Sequence, residues 1–348
     1  MSEGALLTLS APRYRVLVGT GGIGSGSFFQ VNGNHTLGRE ESRSGRYLHR
    51  RDYCKLHIVC HYVKRLAGDA LTVIPVGRVG NDEVGRRLLS EMQEAGLRTN
   101  RVRVLEGAPT LFSFCIQYPD GSGGNLTTDN SACSAVTAEM IDDAAEDLPS
   151  PGGGIVLAVP EVPFAPRRRL LRLGGERGLL RVASFTSEEL PRAEAEGVLA
   201  DVDLLAMNGD EARSLLPGSG LGPTEDVVAR FAGYAGQRYP ALRWVITAGA
   251  EGSWSWDGRT TSRRLALPVR VVGASGAGDA HLAGIIAGLA GGLELHPAHD
   301  LGCILAAASL ASEHTINTEI TREQLRELAR LADLHDEALL RMIGSTSA

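Results

Sequence analysis

The sequence predicts an α/β fold, in which an open, mostly parallel sheet lies between layers of helices. Short apolar runs typical of buried strands alternate with longer amphipathic segments along most of the 348 residues. This alternation is typical of parallel sheets that are covered by helices on both faces. Several apolar runs also end in glycine or small polar residues, which predicts a ligand site at the carboxyl edge of the sheet.

The predicted elements follow one another in chain order. "RVLVG" and "ALTVIPVGRVG" are predicted strands, and "DEVGRRLLSEMQEAG" is a predicted helix with Val84, Leu88, Leu89 and Met92 on one face. "TLFSFCIQY" alternates like a half-buried strand, whereas "GIVLAV" is typical of a buried one. The series continues with the helix "PRRRLLRLGGERG", the strands "LRVASF" and "VDLLAMN", the helix "TEDVVARFAGYAGQRY", the strand "LRWVITAG", and a strand over residues 269–272 that leads into an apolar helix.

Two polar, turn-rich stretches do not fit this layered pattern. They cover roughly residues 26–50 and 108–128. We predict that they form a small β lid over one edge of the sheet. The sequence shows no internal repeat and no long linker, so residues 1–348 are predicted to form a single domain with this lid.

Composition excludes several functional classes. The formal net charge of −6 argues against nucleic acid as a partner of the whole chain. No apolar run reaches the roughly 20 residues that a membrane span needs, so we expect no membrane association. The first residues lack the basic and apolar pattern of a secretory signal. Five cysteines are scattered without a C-x-x-C pair, which predicts reduced thiols in a cytoplasmic protein.

A glycine pattern near the N-terminus, Gly19-x-Gly21-x-x-Gly24, has the spacing of a dinucleotide-binding fingerprint. That fingerprint requires a helix directly after the glycines and an acidic residue at the end of the next strand. The residues that follow, "SGSFFQVNGNHTLG", are poor helix formers. We therefore favour a strand end that opens into a cleft, and keep a dinucleotide-dependent oxidoreductase as an alternative.

A second glycine cluster lies near the C-terminus in "VRVVGASGAGDAHLAGIIAGLAGG". Gly276, Ala277 and Gly278 precede an apolar helix, and the free N–H groups of a helix N-terminus favour an anion. Asp279 would repel a phosphate there unless it has a task, such as accepting a proton from an attacking hydroxyl group. The alternative is that Asp279 simply caps the helix.

Two further strand ends carry residues suited to phosphate or metal. Asn208 and Glu211 follow "VDLLAM", and an amide with a carboxylate at this spacing suits hydrated Mg²⁺ or its phosphates. The alternative for this pair is a helix cap with its matching acid. Thr247, Gly249 and Gly252 follow "LRWVI" and suit a phosphate tail.

The order N-x-x-E, T-x-G-x-x-G and G-A-G-D resembles that of the ribokinase-like (PfkB-type) carbohydrate kinases. "VGRVGNDEVGRRLLSEMQEAGLRTNRV", "PDGSGGNLTTDNSACSAVT" and "VPEVP" are similar to other blocks of that family, and the resemblance covers roughly residues 70–330. It implies a three-layer ribokinase-like fold with a small β lid. It also implies an ATP- and Mg²⁺-dependent phosphotransferase that acts on a hydroxyl group of a small sugar-like acceptor, as a monomer or homodimer.

The resemblance also implies a role for each matching residue. Asp279 is the general base, and the backbone amides of Gly276, Ala277 and Gly278 form the anion hole. The other roles are Mg²⁺ and phosphate binding by Asn208 and Glu211, nucleotide binding by Thr247, Gly249 and Gly252, and acceptor binding by Glu161, Gly24 and Asn130.

The chain departs from the family pattern mainly on the acceptor side. The family's early Asp is replaced by Gly24 or Ser25, and its Gly-Gly…Asn motif by "DYCKLHI". The neighbouring "HRRDYCKLH" is either a solvated basic helix face or a sign that the acceptor is anionic or otherwise unlike free ribose. A non-catalytic ligand-binding relative is therefore a further alternative.

Two residues near the predicted nucleotide site remain unassigned. His281 contacts phosphate or fills a helix face, and Cys303 is predicted to be a buried thiol.

Overall fold

The computed structural model describes residues 4–120, 123–149, 152–218 and 222–344. It confirms the predicted fold class. A nine-stranded sheet has the order β13-β12-β11-β10-β9-β8-β1-β4-β5 and is parallel except at β12 and β13. The strands are β1 (Val16–Thr20), β2 (Gly24–Val31), β3 (Gly45–Tyr53), β4 (Thr72–Gly80), β5 (Val102–Leu105), β6 (Leu111–Gln117), β7 (Gly123–Thr127), β8 (Gly154–Ala158), β9 (Leu180–Ala183), β10 (Leu204–Asn208), β11 (Arg243–Thr247), β12 (Ser253–Trp256) and β13 (Thr261–Arg264).

Eleven α-helices in the described residues connect and cover these strands. They are α1 (Lys55–Ala67), α2 (Glu83–Glu94), α3 (Ala138–Asp143), α4 (Phe164–Glu176), α5 (Glu189–Ala195), α6 (Gly209–Ser214), α7 (Thr224–Arg238), α8 (Ala277–Ala290), α9 (Leu295–Ser309), α10 (Arg322–Leu331) and α11 (Glu337–Met342). In the part of the chain that is described, none of them is long and apolar enough to cross a bilayer.

The core lies on both faces of the sheet, because successive side chains of a strand point to opposite faces. Leu17 packs with Leu56 of α1 and Ile285 of α8. The next residue, Val18, packs with Leu170 of α4 on the other face. The central strands are therefore apolar on both faces, as the sequence predicts for a parallel sheet.

The two stretches predicted to form a lid supply most of a separate four-stranded sheet, with the order β3-β2-β6-β7. Its β2–β3 and β6–β7 pairs are antiparallel, and its β2–β6 pair is parallel. Residues 121 and 122 of the second stretch lie outside the described residues.

The structure excludes one alternative that the sequence left open and changes two local expectations. The Gly19-x-Gly21-x-x-Gly24 pattern is followed by strand β2 and not by a helix, so the dinucleotide fingerprint is excluded. Residues 269–272 do not form the predicted strand and instead run along the surface as irregular backbone. The basic stretch "HRRDYCKLH" is not a solvated helix face, because its first half belongs to β3 and only its end begins α1.

Candidate functional site

Parallel strands of the large sheet bring the predicted site residues to one edge. Asn208 ends β10 and lies directly opposite Thr247, which ends β11. Glu161 follows soon after β8, whose last residue pairs with Thr20 at the end of β1. Because the carboxyl ends of parallel strands meet at the same edge of a sheet, residues distant in sequence converge here.

The N-terminus of α8 lies at this edge and depends on a glycine. Gly276 is the N-cap residue and has a φ of 82°, a left-handed conformation that favours glycine. A Cβ atom on it would lie 2.6 Å from the carbonyl oxygen of Thr315. Of the three amides predicted to bind an anion, that of Ala277 donates to the carbonyl oxygen of Ala274 over 3.3 Å. First-turn amides of a helix lack intrahelical partners and suit an anion.

Asp279 lies in the first turn of α8, with its side chain 15% exposed. Its Oδ1 is 3.2 Å from the Nζ of Lys55, the first residue of α1. Burial lowers the pKa of Lys55, but the charges of Asp279 and Glu211 outweigh it and raise this pKa to about 12. Since Gly276 holds the N-cap position, Asp279 is not the N-cap residue of α8.

Two cavities meet at the start of α8. The lid cavity, with a volume of about 530 Å³, is lined by residues of the four-stranded sheet together with Glu161, Gly276 and Asp279. The strand-end cavity, of about 660 Å³, is lined by Thr247, the residues that follow it, and the α8 and α9 helices. A space of about 80 Å³ shares Lys55 with the first cavity and Thr247 with the second. The start of α8 therefore lies between the two cavities, with Gly276 and Asp279 lining the lid cavity and Ala277 and Gly278 lining the strand-end cavity.

Asn208 and Glu211 form a capping box at the start of α6. The Glu211 amide donates to Asn208 Oδ1 over 2.9 Å, and the Asn208 amide donates to Glu211 Oε2 over 2.7 Å. The capping alternative is thus realised. Both residues also line the small space that contains Lys55, so the capping box holds them at the strand edge.

Comparison with known proteins shows the family to which this chain belongs. The model of the pfkB family carbohydrate kinases matches residues 59–322, more than half of the chain. This chain belongs to the pfkB family. The match includes the α8 N-terminus, α6 and the end of β11, and it begins after Lys55.

Curated pfkB-type relatives match parts of the chain. Fructoselysine 6-kinase of Shigella flexneri is 36% identical over 66 residues, which cover 19% of this chain and 25% of that protein. The chain thus matches about a quarter of the length of that relative. A probable chloroplastic fructokinase-6 of Arabidopsis thaliana is 24% identical over 243 residues, covering 67% of this chain and 61% of the relative.

Solved structures share the fold at low sequence identity. The ribokinase of Cryptococcus neoformans in complex with ADP has a TM-score of 0.72 and 20% identity, with 90% of this chain and 99% of that chain covered. A putative ribokinase II of E. coli in complex with ATP and Mg²⁺ has a TM-score of 0.70 and 17% identity, with 92% and 100% covered.

Most residues predicted from the pfkB resemblance line one of the two cavities or the small space that adjoins them, but two do not. Gly24 is buried at the start of β2, where an added Cβ would lie 2.8 Å from the Sγ of Cys54. Asn130 is exposed after β7. Neither is among the described residues that line the lid cavity. The residues that do line a cavity are Glu161, Gly276 and Asp279 in the first, Thr247, Gly249, Gly252, Ala277 and Gly278 in the second, and Asn208 and Glu211 in the small space.

Sequence reasoning missed three polar residues of the site. Asp52 and Lys55 line the lid cavity, together with Thr315, which accepts a hydrogen bond from the Tyr53 amide over 3.1 Å. Both Asp52 and Lys55 lie in "HRRDYCKLH", a stretch noted only for its positive charge. A lone acid at the end of a strand, just before a helix, was the signal that could have indicated Asp52.

Glu161 is held in a costly conformation inside the site. Its φ of 76° is rare for a residue with a side chain, and such strain concentrates at functional sites. Its Oε2 accepts a hydrogen bond from the Lys55 amide over 3.4 Å. Burial and then the charge of Asp279 raise the pKa of Glu161 to about 7, while burial raises the pKa of Asp52 to about 6.

We expect the Glu161→Gln variant to be more stable than the wild type at pH 8. Glu161 has a higher pKa in the folded state than its ordinary value of 4.5. The cost of ionising it therefore grows as the pH rises from about 4.5 to 7 and is fully present above that. Replacing Glu161 with glutamine removes this cost, so it should raise the free energy of unfolding by on the order of 2 kcal/mol at pH 8 and by less at pH 5.

Thermal unfolding at the two pH values measures this gain, with the exposed Glu40→Gln as a matched control that should change little. An unchanged or lower melting temperature of Glu161→Gln at pH 8 would contradict the expectation.

Proposed function

We propose that this chain is an ATP-dependent phosphotransferase that phosphorylates a hydroxyl group of a sugar-like small molecule. The observation on which the proposal rests is that the α8 N-terminus lies between two cavities and that Asp279, in its first turn, lines the lid cavity. Phosphoryl transfer needs an acceptor on one side, a nucleotide on the other, and an anion site with a base between them. The pfkB family membership supports the same assignment.

Each residue near the start of α8, where the two cavities meet, would have its own role in the reaction. Asp279 accepts the proton of the attacking hydroxyl group, and the amides at the start of α8 hold the phosphoryl group during transfer. Lys55 forms an ion pair with Asp279 and holds this carboxylate in place. Thr247, Gly249 and Gly252 bind the nucleotide phosphates. The ADP and the ATP with Mg²⁺ named for two similar structures support a nucleotide in the strand-end cavity.

Glu211 would hold the Mg²⁺ ion. The capping box uses one carboxylate oxygen of Glu211 and the side-chain oxygen of Asn208. The second Glu211 oxygen remains to bind the ion directly or through water, as Mg²⁺ prefers few carboxylates and several waters. When bound, the ion neutralises charge on the nucleotide phosphates.

The acceptor is inferred to be neutral or positively charged. Three carboxylates, of Asp52, Glu161 and Asp279, line the lid cavity, and its lysine is already paired with Asp279. His49, Arg50 and Arg51 are not among the described residues of that lining. The hypothesis of an anionic acceptor, based on those basic residues, therefore loses its support. Carboxylates accept hydrogen bonds from sugar hydroxyl or amino groups.

Cytoplasmic location and a monomeric or homodimeric state remain predictions of the sequence.

Release of ADP from Mg-ATP tests this proposal across a panel of neutral sugars, amino sugars, polyols, nucleosides and sugar phosphates. We expect neutral or amino-bearing acceptors to exceed their phosphorylated counterparts at least tenfold in kcat/KM, because an anion would lie among the acidic side chains of Asp52, Glu161 and Asp279 in the lid cavity. A sugar phosphate as the best acceptor would overturn the acceptor class. Binding of NADH without binding of Mg-ATP would overturn the phosphotransferase itself.

A further inference from the structure

Two histidines and a cysteine of α8 and α9 converge beside the strand-end cavity. His281 belongs to α8, while His299 and Cys303 lie one turn apart on α9. One nitrogen or sulfur atom of each lies within 4.8 Å of those of the other two. Imidazole and thiolate together are the ligand set that zinc and similar soft cations prefer.

The spacing of these atoms is close to that of a tetrahedral site. The Sγ of Cys303 is 3.8 Å from the Nε2 of His281. Zn–N and Zn–S bond lengths of about 2.0 and 2.3 Å give a tetrahedral N···S edge of roughly 3.5 Å, which is close to this distance. The Ser253 hydroxyl lies 2.7 Å from His299 Nε2 and 3.3 Å from Cys303 Sγ, so it is adjacent to two of the three candidate ligand atoms.

We propose that His281, His299 and Cys303 form a binding site for a soft divalent cation of the zinc class. The fourth position is taken by the Ser253 hydroxyl or a water molecule. This site is separate from the proposed Mg²⁺ position at Glu211, whose oxygen ligands suit a hard cation.

The protonation states agree with metal binding. Burial lowers the pKa of His281 to about 4 and that of His299 well below its usual range, so both rings are neutral and offer a lone pair at neutral pH. Burial raises the pKa of the Cys303 thiol to about 12. The cation therefore displaces the thiol proton: one sulfur–metal bond forms and one proton is released to solvent.

A series of polar side chains contacts the second ring nitrogen of His299. Its Nδ1 lies 3.1 Å from the Ser255 hydroxyl, which is 2.9 Å from His296 Nδ1. His296 Nε2 in turn lies 3.4 Å from Asp257. Metal-binding histidines are usually oriented in this way through their second nitrogen.

The strand-end cavity gives a cation access to the cluster. Ser253, His281 and Cys303 all line that cavity, which has a volume of about 660 Å³. His299 lies behind these residues and is fully buried, so a cation in the cavity would meet His281 and Cys303 first.

Titration of the metal-free, reduced protein with Co²⁺ tests the site by absorption spectroscopy. We expect one equivalent to produce a near-ultraviolet thiolate-to-cobalt band and the visible bands of tetrahedral Co²⁺. Zn²⁺ should displace Co²⁺, since it binds more tightly to such ligands. Ser255→Ala should weaken the metal affinity by about tenfold, because it removes a group that orients His299.

Variants separate this site from binding elsewhere. Cys303→Ser should lose the thiolate band, whereas Cys60→Ala, another buried cysteine, should keep it. His281→Leu, which places an apolar residue in an apolar helix, should lose the tetrahedral bands independently of how the cysteine variant folds. Absence of the bands in the wild type, or their persistence in either cluster variant, would overturn the proposal.

Discussion

The Asp279→Asn variant is expected to lose at least a hundredfold in kcat while it still binds ATP. A hydroxyl group that attacks the γ-phosphoryl group must lose its proton, and a positioned base contributes about 10²–10⁴-fold. Asparagine keeps the shape of the side chain but not its basicity. A hundredfold loss corresponds to about 2.7 kcal/mol of barrier. ATP affinity should be unchanged or higher, because one negative charge beside the phosphates is removed.

The measurement is kcat for ADP release together with the dissociation constant of ATP on the same protein. Asp69→Asn is a matched control, since it breaks a Lys64–Asp69 ion pair of 3.1 Å at an exposed position. Such a surface pair is worth little, so this control should keep both parameters. A near-normal kcat in Asp279→Asn would mean that Asp279 only pairs with Lys55, and the proposed mechanism would fail.

The sequence predicted the large sheet well, because buried parallel strands are apolar on both faces. β8 and β11 are such strands, and their buried side chains leave a clear pattern. The predicted strand over residues 269–272 failed for the opposite reason. Val271 is 59% exposed and lines the strand-end cavity, so its apolar character reflects a cavity wall and not a sheet.

The acceptor side was harder to predict, because tertiary contacts decide it. The sequence of β3 is "GRYLHRRDY", and its many charged residues do not show the alternation that predicts a strand. Its last residues, Asp52 and Tyr53, line the lid cavity. Asp52 and Lys55 enter the site only because β3 pairs with β2 and α1 packs against α8. The proposed phosphate side could be recognised as a candidate from the sequence, since Gly276, Ala277, Gly278 and Asp279 are contiguous.

The second large effect is expected from Gly276→Ala. The left-handed φ of 82° costs a residue with a Cβ roughly 1–2 kcal/mol. The added methyl group would also lie 2.6 Å from the carbonyl oxygen of Thr315, which is backbone and cannot rotate away. The start of α8 must shift, and the amides that we propose to hold the phosphoryl group shift with it. Loss of one such donor typically costs about 10²–10³-fold, so we expect at least a hundredfold lower kcat.

Gly292→Ala, just beyond the other end of α8, separates backbone strain from this displacement. Its φ of 94° is equally left-handed, but an added Cβ would have no atom within 4 Å. It should lower the melting temperature through strain alone and leave kcat unchanged, because it is remote from both cavities. Gly276→Ala should lower the melting temperature further, because the contact with Thr315 adds to the strain. Thermal unfolding and ADP release, measured on both variants, distinguish loss of stability from displacement of the α8 N-terminus. If the two glycine variants lose stability equally and keep normal turnover, the α8 N-terminus does not hold the transferred phosphoryl group.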